Sequence, residues 1–335
     1  MNNTPSAYIQ VIGHDWAVDL LKRQATAGRM PHALLLTGPR NVGKSTLAHF
    51  LAQYLNCQAE TKPCGACLAC RKLVSGNHPD VRIWDDDDEA IKIEQIRELQ
   101  RELALSPYEG QYRVALLCNF ERATISAANA LLKTLEEPAS PVVIVLTAAD
   151  PGGLLPTIVS RCQVLTLRPL SRPIVIEALQ QRWEAAPAQA ELLAQLAAGR
   201  LGWAVKALTD TTLLTRREGH LTDLLAVLSQ NRVQRLAYAY ELSQNPATLR
   251  ETLTAWLTIW RDLLLLHSGS HIKILNLDWQ DRLHTLAGQT NLGQAQEMVA
   301  KLRAALTNLD YNVNSRLNLE SVLLKMPKLS VMSVE

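Results

Sequence analysis

The chain of 335 residues lacks an excess of charge of either sign: 34 Lys and Arg face 32 Asp and Glu, a formal net charge of +2. That excludes a histone-like or tail-driven nucleic-acid binder, which carries a clear basic excess. The balance holds locally, with 17 basic against 17 acidic residues through position 170 and 17 against 15 beyond it, so no part reads as a dedicated DNA grip. Aromatics are scarce at 5%, with two Phe, which argues against base stacking as the main mode of binding. No long window of uncharged apolar residues occurs, so no membrane span is expected. The N-terminal stretch MNNTPSAYIQVIGHDW has no basic region followed by an apolar core and is not a secretory signal. The expected location is the cytoplasm, where the six cysteines stay reduced. There is no fixed-period repeat or low-complexity tract. The one charge block, Asp85–Glu89, reads as a solvated loop. What is present, 47% hydrophobic and 20% charged residues, excludes disorder as the main state, and the length fits two or three domains.

Up to about residue 170, short apolar runs alternate with helical patterns. The runs are His32–Thr37, Val81–Trp84, Arg113–Cys118, Pro141–Thr147 and Gln163–Leu167; the helical stretches are Lys44–Leu55, Glu94–Leu105, Ile125–Leu135 and Leu154–Val159. This alternation predicts βαβ units and a mostly parallel sheet, an α/β domain. The runs near residues 114 and 142 are almost wholly apolar, as central strands covered on both faces should be. Arg168–Pro173 (RPLSRP) marks a linker. Three short helices follow, over Ile174–Arg182, Ala188–Ala198 and Trp203–Leu208, with Gly199 and Gly202 as loop residues. From Leu213 onward the pattern is helical throughout and predicts a bundle.

Gly38–Ser45 reads GPRNVGKS, the phosphate-loop pattern G-x-x-x-x-G-K-[ST], set between an apolar strand and an amphipathic helix as that loop requires. Its amide groups and the helix N-terminus would hold phosphate oxygens, Lys44 would neutralise the β and γ phosphates, and Ser45 or its neighbour Thr46 would ligate Mg²⁺. Asn41 stands where many such loops have glycine, and Asn tolerates positive φ. A phosphate-loop ATPase also needs an acid at the end of a second strand to organise Mg²⁺, and often a second to orient water. The strand RVALLCNF ends in Cys118 and Asn119 instead, and Glu121 comes two or three positions late. The pattern is that of a nucleotide-binding fold whose own hydrolysis is lost. Cys57, Cys64, Cys67 and Cys70 form C-x₆-C-x₂-C-x₂-C, a ligand set able to fill a tetrahedral Zn²⁺ site with no open position; free buried thiols and an iron–sulfur cluster are the competing readings. Cys118 and Cys162 stand apart as packed thiols.

Together these residues resemble the bacterial clamp-loader subunits of DNA polymerase III, of the AAA+ class. The resemblance is carried by Val11–His14 (VIGH), His32–Ala33, the phosphate loop, the four cysteines, Asn129–Pro138 (NALLKTLEEP) and Ser160–Cys162 (SRC). It covers residues 8–210 well and the helical end loosely, chiefly at Asn312–Lys325. It implies an AAA+ domain with a zinc module over 1–168, a small helical lid over 169–210 and a C-terminal helical collar over 211–335. It also implies a hetero-pentamer with gamma/tau and delta subunits that meets a sliding clamp and primer-template DNA. The family contains a motor ATPase and a stator. The motor has Asp-Glu where this chain has Cys118-Asn119, and a sensing Arg where GRLGWA places Gly202. Both departures point to the stator; the intact phosphate loop points mildly to the motor. The resemblance gives Arg161 the role of a finger reaching into a neighbour's ATP site, against an ordinary surface arginine. It gives Thr147 a γ-phosphate-sensing role, against packing, and places Val11 and Ile12 beside adenine, against plain core. NALLKTLEEP reads first as structure: Leu131, Leu132 and Leu135 as a core stripe, Lys133 pairing with Glu136 or Glu137, and Pro138 as a stop. A DNA-facing or subunit-coupling role is the alternative. The expected function is thus a clamp-loading stator that binds ATP at most without turnover, the alternatives being a gamma/tau-type motor and a zinc-stabilised ATPase outside replication.

Overall fold

The computed structural model describes residues 8–85, 90–138, 141–270, 272–310 and 313–329. Residues 86–89 of the acidic block and Asn312 lie outside the described residues. In the first part the elements run α1 (Asp15–Thr26), β1 (Ala33–Thr37), α2 (Lys44–Asn56), α3 (Leu68–Val74), β2 (Val81–Trp84), α4 (Ile93–Leu103), β3 (Arg113–Leu117), α5 (Ile125–Glu136), β4 (Val142–Ala148), α6 (Pro156–Val159) and β5 (Gln163–Thr166). The strands form one parallel sheet in the order β2-β3-β4-β1-β5. Leu35 stands opposite Leu146 on one side and Val164 on the other.

Period-two alternation sorts the strand residues onto two cores. Leu34, Leu36, Val114, Leu116, Val143 and Val145 pack with Leu21 of α1 and Leu47 and Leu51 of α2. Ala33, Leu35, Ala115, Leu117, Ile144 and Leu146 pack with Leu99 of α4 and Leu131 of α5. Both faces are covered, which is why β1, β3 and β4 are near-continuous apolar runs. The outer strands β2 and β5 carry partly exposed residues.

The remaining elements are α7 (Arg172–Trp183), α8 (Pro187–Ala197), α9 (Leu201–Thr209), α10 (Thr212–Ser229), α11 (Arg232–Ser243), α12 (Pro246–His267), α13 (Gln280–Gln289), α14 (Leu292–Asp310) and α15 (Ser315–Leu323). Two compact units emerge, one from the residues up to Ala178 with Gly199–Trp203, the other from Leu179–Ala198 with the residues from Ala204 on; the divisions fall inside α7 and α9. In the second unit Trp256 and Trp260 of α12 are wholly buried among Leu221, Leu224, Leu283 and Leu319. Buried Arg235 gathers helix ends there: its guanidinium donates to the carbonyls of Val227, Leu228, Leu323, Met326 and Pro327. These include carbonyls at helix C-termini, which have no partner inside the helix and favour a cation. Asp262, also buried, accepts from Leu275 N at 2.9 Å and Asn276 N at 2.8 Å, fixing the segment beyond α12.

One expectation is corrected. Gly202 is not a loop residue; it is the second residue of α9. Its N–H, which has no partner within a helix at that position, donates to Asn41 O at 2.9 Å. A Cβ at 202 would lie 3.0 Å from that oxygen, so the glycine serves a close approach to the phosphate loop rather than a turn.

Candidate nucleotide and metal sites

The loop Gly38–Ser45 joins the carboxyl end of β1 to α2, at the edge where open parallel sheets bind ligands. A Cβ on Gly38, at φ +135°, would meet Leu167 O at 2.3 Å, so no other residue fits there. Asn41 has φ 63°, the left-handed conformation that its type tolerates. Gly43 is the residue before the first turn of α2. His14 donates from Nε2 to Val42 O at 2.9 Å, tying the VIGH segment to the loop. Lys44 is buried, and its Nζ donates to Gly38 O at 2.6 Å and Pro39 O at 3.0 Å, so the ammonium lies across its own loop. Val11 packs partly buried against the core under the sheet, and Ile12 is half-buried. An open cavity of about 430 Å³ borders Gly13, His14, Arg168 and Ile174.

Strand β3 ends without an acid. Cys118, directly after β3, is buried, and its Sγ lies 3.6 Å from Ser45 Oγ; Thr46 is exposed. Burial pushes the Cys118 thiol up to about 12, and the adjacent Asp85 carboxylate adds to the rise. The group facing the Ser45 hydroxyl is therefore a neutral thiol at neutral pH. Asn119 takes φ 52°, and its N–H donates to Thr147 Oγ1 at 3.0 Å, so buried Thr147 joins the ends of β3 and β4. Glu121 accepts from Ala149 N at 3.3 Å, which engages its carboxylate in the loop after β4. Asp85, directly after β2, is exposed as a loop residue should be, yet it lies beside the Cys118 thiol. Its neighbourhood to Cys118 follows from β2 pairing with β3, which sequence spacing does not reveal.

Arg161 does not join this cluster. It follows α6, and its Nε donates to Glu136 Oε1 at 2.8 Å, its Nη2 to the same oxygen and its Nη1 to Thr157 O at 2.9 Å. Glu136 therefore pairs with Arg161, not with Lys133 as helical spacing suggested.

The four cysteines come together completely. Their sulfurs all lie within 4.8 Å of one another, with Cys57 to Cys67 and Cys64 to Cys70 at 4.0 Å. Tetrahedral Zn–S bonds of about 2.3 Å would set the sulfurs about 3.8 Å apart, so the donor set fits such an ion with little movement. Cys57 ends α2, and Cys67 precedes α3 and accepts from Cys70 N at 3.5 Å. Amide donors surround the sulfurs: Cys64 N to Cys57 at 3.4 Å, and Cys67 N to Cys64 at 3.3 Å. The amides of Cys67 and Ala66 bring the Cys64 thiol down to about 6. Burial opposes ionisation of Cys67, yet the amides of Gln58 and Cys70 bring it below the usual thiol value. Burial pushes Cys70 upward. Such N–H···S contacts favour thiolates, the form that binds metal. The cluster could hold a metal ion.

The segment between α4 and β3 is fixed beside this module. Buried Asp80 accepts from Tyr108 N at 2.6 Å, Glu109 N at 2.9 Å and Gly110 N at 2.7 Å. Asn56, the last residue of α2, accepts from Gln111 N and Tyr112 N, each at 3.0 Å.

A family model described as "DNA polymerase III, delta subunit" matches residues 13–171. The DNA polymerase III subunit delta' of Bacillus subtilis (strain 168) is 30% identical over 306 residues, 88% of this chain and 90% of that protein. Subunit delta' of Pseudomonas aeruginosa is 38% identical over 153 residues, 44% of this chain and 47% of its own length. Subunit tau of Escherichia coli (strain K12) is 33% identical over 216 residues, 62% of this chain but 33% of tau. Among solved structures, a DNA polymerase III gamma subunit-related protein from Thermotoga maritima is 20% identical at TM-score 0.42, covering 91% of this chain and 97% of that one.

Proposed function

The chain belongs to the delta' family of DNA polymerase III clamp-loader subunits, and on that premise we propose that it is the stator of a clamp-loading ring. In this reading it supplies Arg161 to a neighbouring motor and does not hydrolyse ATP itself. It works in the cytoplasm with gamma/tau and delta subunits, and the assembly rather than this chain holds the sliding clamp and primer-template DNA. The division into an AAA+ domain through 168, a lid over 169–210 and a collar from 211 belongs to the same reading.

The observation that carries it is Cys118. Phosphoryl transfer depends on positioning and charge stabilisation, and an acid at the end of the second strand organises Mg²⁺. Here a buried neutral thiol faces Ser45 Oγ at 3.6 Å, and Asn119 follows it. Gly38, Asn41, Gly43, Lys44, Ser45 and Thr46 would still bind nucleotide phosphates, with Thr147 near the γ position and Val11 and Ile12 beside adenine. Lys44 would exchange its carbonyl partners for phosphate oxygens. Cys57, Cys64, Cys67 and Cys70 would hold Zn²⁺, which would brace the excursion between α2 and β2 and take no part in catalysis. Arg161, partly exposed, would stabilise charge on a phosphoryl group in the neighbour's site, since its guanidinium is planar and always charged.

One observation favours a motor instead: Asp85 stands beside Cys118 and could replace the missing acid. Purified chain separates the two readings. The stator shows no Mg²⁺-dependent ATP hydrolysis above background, and Lys44→Ala changes nothing in that assay; hydrolysis abolished by Lys44→Ala overturns the stator. In the reconstituted complex, Arg161→Ala lowers the motor's ATP turnover, and an unchanged rate removes the finger.

A further inference from the structure

We infer that Glu136 is a positioning residue for Arg161, holding the guanidinium by one edge so that its other edge is presented outward for a neighbour's phosphoryl group. This rests on the stator reading above. A guanidinium carries five N–H donors in a planar fork and matches phosphate oxygens only when that plane is correctly set. A long side chain does not set itself, because its free rotamers are many.

The geometry around Arg161 divides those donors. Nε and one N–H of Nη2 converge on Glu136 Oε1, fixing the plane from the side. Nη1 donates to Thr157 O, one turn back in α6, at 2.9 Å, fixing it from below. The second N–H of Nη1 reaches Ser160 Oγ at 3.5 Å, a long contact, and no contact among the described residues engages the second N–H of Nη2. The donor left open is therefore that N–H of Nη2; it belongs to the end-on Nη1/Nη2 edge, which could grip two phosphate oxygens once Nη1 gives up its long contact to Ser160.

Glu136 is itself well placed. It is the last residue of α5, and the preceding carbonyl, Leu135 O, accepts from His32 Nε2 at 2.9 Å, anchoring that helix end to the residue before β1. The side chains of Arg161 and Glu136 remain 33% and 48% exposed, so the pair contributes little to folding and is accessible to a second protein. NALLKTLEEP and SRC, separated in sequence, are joined at this one contact. A carboxylate at the helix end gives the finger its direction, and its negative charge keeps the arginine from folding onto its own surface elsewhere.

The test is ATP turnover by the reconstituted clamp-loader complex with sliding clamp and primer-template DNA, with each variant introduced into this chain alone. Glu136→Ala and Glu136→Gln lower kcat about tenfold with KM unchanged, and Glu136→Asp restores part of it. The complex carrying Glu136→Ala also loses affinity for ADP·aluminium fluoride, a mimic of the phosphoryl group in transfer, by a similar factor. Glu136→Ala combined with Arg161→Ala falls no further than Arg161→Ala alone, because Glu136 acts through the arginine. Thermal melting of the isolated variants stays within about 2 °C of the parent. If Arg161→Ala lowers turnover while Glu136→Ala and Glu136→Gln leave it unchanged or raise it, the positioning role is wrong and the finger stands. If the double variant falls well below Arg161→Ala, Glu136 acts by another route and the inference is overturned. If Arg161→Ala itself has no effect, the finger falls and this inference with it, while the hydrolysis assay on the purified chain still decides the stator reading.

Discussion

The phosphate loop and the cysteine module lie on either side of helix α2, and they differ in completeness. The loop keeps the full phosphate-loop pattern, while the strand expected to carry an acid ends in Cys118 and Asn119. The module has all four donors within 4.8 Å of one another and amide groups aimed at its sulfurs. On the stator reading a binding pattern survives intact without the chemistry, because the loop and the strand end expected to carry the acid lie on different strands. The loop is local in sequence; its missing partner is at the end of β3, more than seventy residues away. The cysteines answer to one requirement, a tetrahedral ion, and have nothing remote to lose.

The largest effect expected is on the module. Metal analysis of the purified chain finds one Zn²⁺ per molecule, and removing it with a chelator, or making Cys70→Ser, lowers the melting temperature by roughly 10 °C or more, since structural zinc is worth about 10–16 kcal/mol in isolated zinc peptides. Well under one metal per chain, with an unchanged melt, would break the contrast from the module's side. A smaller effect follows at Asp80, which anchors the neighbouring segment. Burial alone would raise its pKa, but three backbone amides and Arg113 hold it below the usual carboxylate value. Asp80→Asn should cost about 3 kcal/mol in chemical denaturation at pH 7. The sign of its pH dependence follows from the depressed folded value. The carboxylate's contribution is fully present above about pH 4, the unfolded value, and is lost as pH falls further through the folded value; the Asn variant lacks this acid-side loss.

The smallest effect sharpens the contrast from the loop's side. Cys118→Asp puts a carboxylate against Ser45 and should tighten Mg²⁺-dependent nucleotide binding about tenfold by calorimetry, roughly 1.4 kcal/mol. It should not start turnover, because Asn119 still supplies no base. Equal affinity with and without Mg²⁺ would show that the thiol is not what limits the site.

Much of the fold is legible in the residues themselves. The five strands lie within one position of the apolar runs, and α2 and α5 lie close to their periodic patterns, because both rest on local periodicity. Helices α1 and α3 were not anticipated. DWAVDLLKRQAT mixes charges into its apolar positions, and the seven residues of α3 include a metal-type cysteine, which masks a helical pattern. Loop glycines misled at Gly202, where a close approach, not a turn, explains the residue. Asp85 beside Cys118 and Glu136 on Arg161 were beyond reach because each contact joins residues far apart in sequence, and charge pairing within a helix was the simpler reading for Glu136.

Gly202 also bears on how such a chain could change over time. Its amide holds Asn41 O, and any side chain there must push the phosphate loop aside by a few tenths of an ångström. On the stator reading, a motor made from this sequence would demand an acid at Cys118, a base at Asn119 and an arginine at a position where a side chain crowds the phosphate loop. Each change would be of little use without the others, and the last would disturb the phosphate loop itself. On the stator reading, the packing around a single glycine would act as a ratchet, making a step away from turnover easier to take than to retrace.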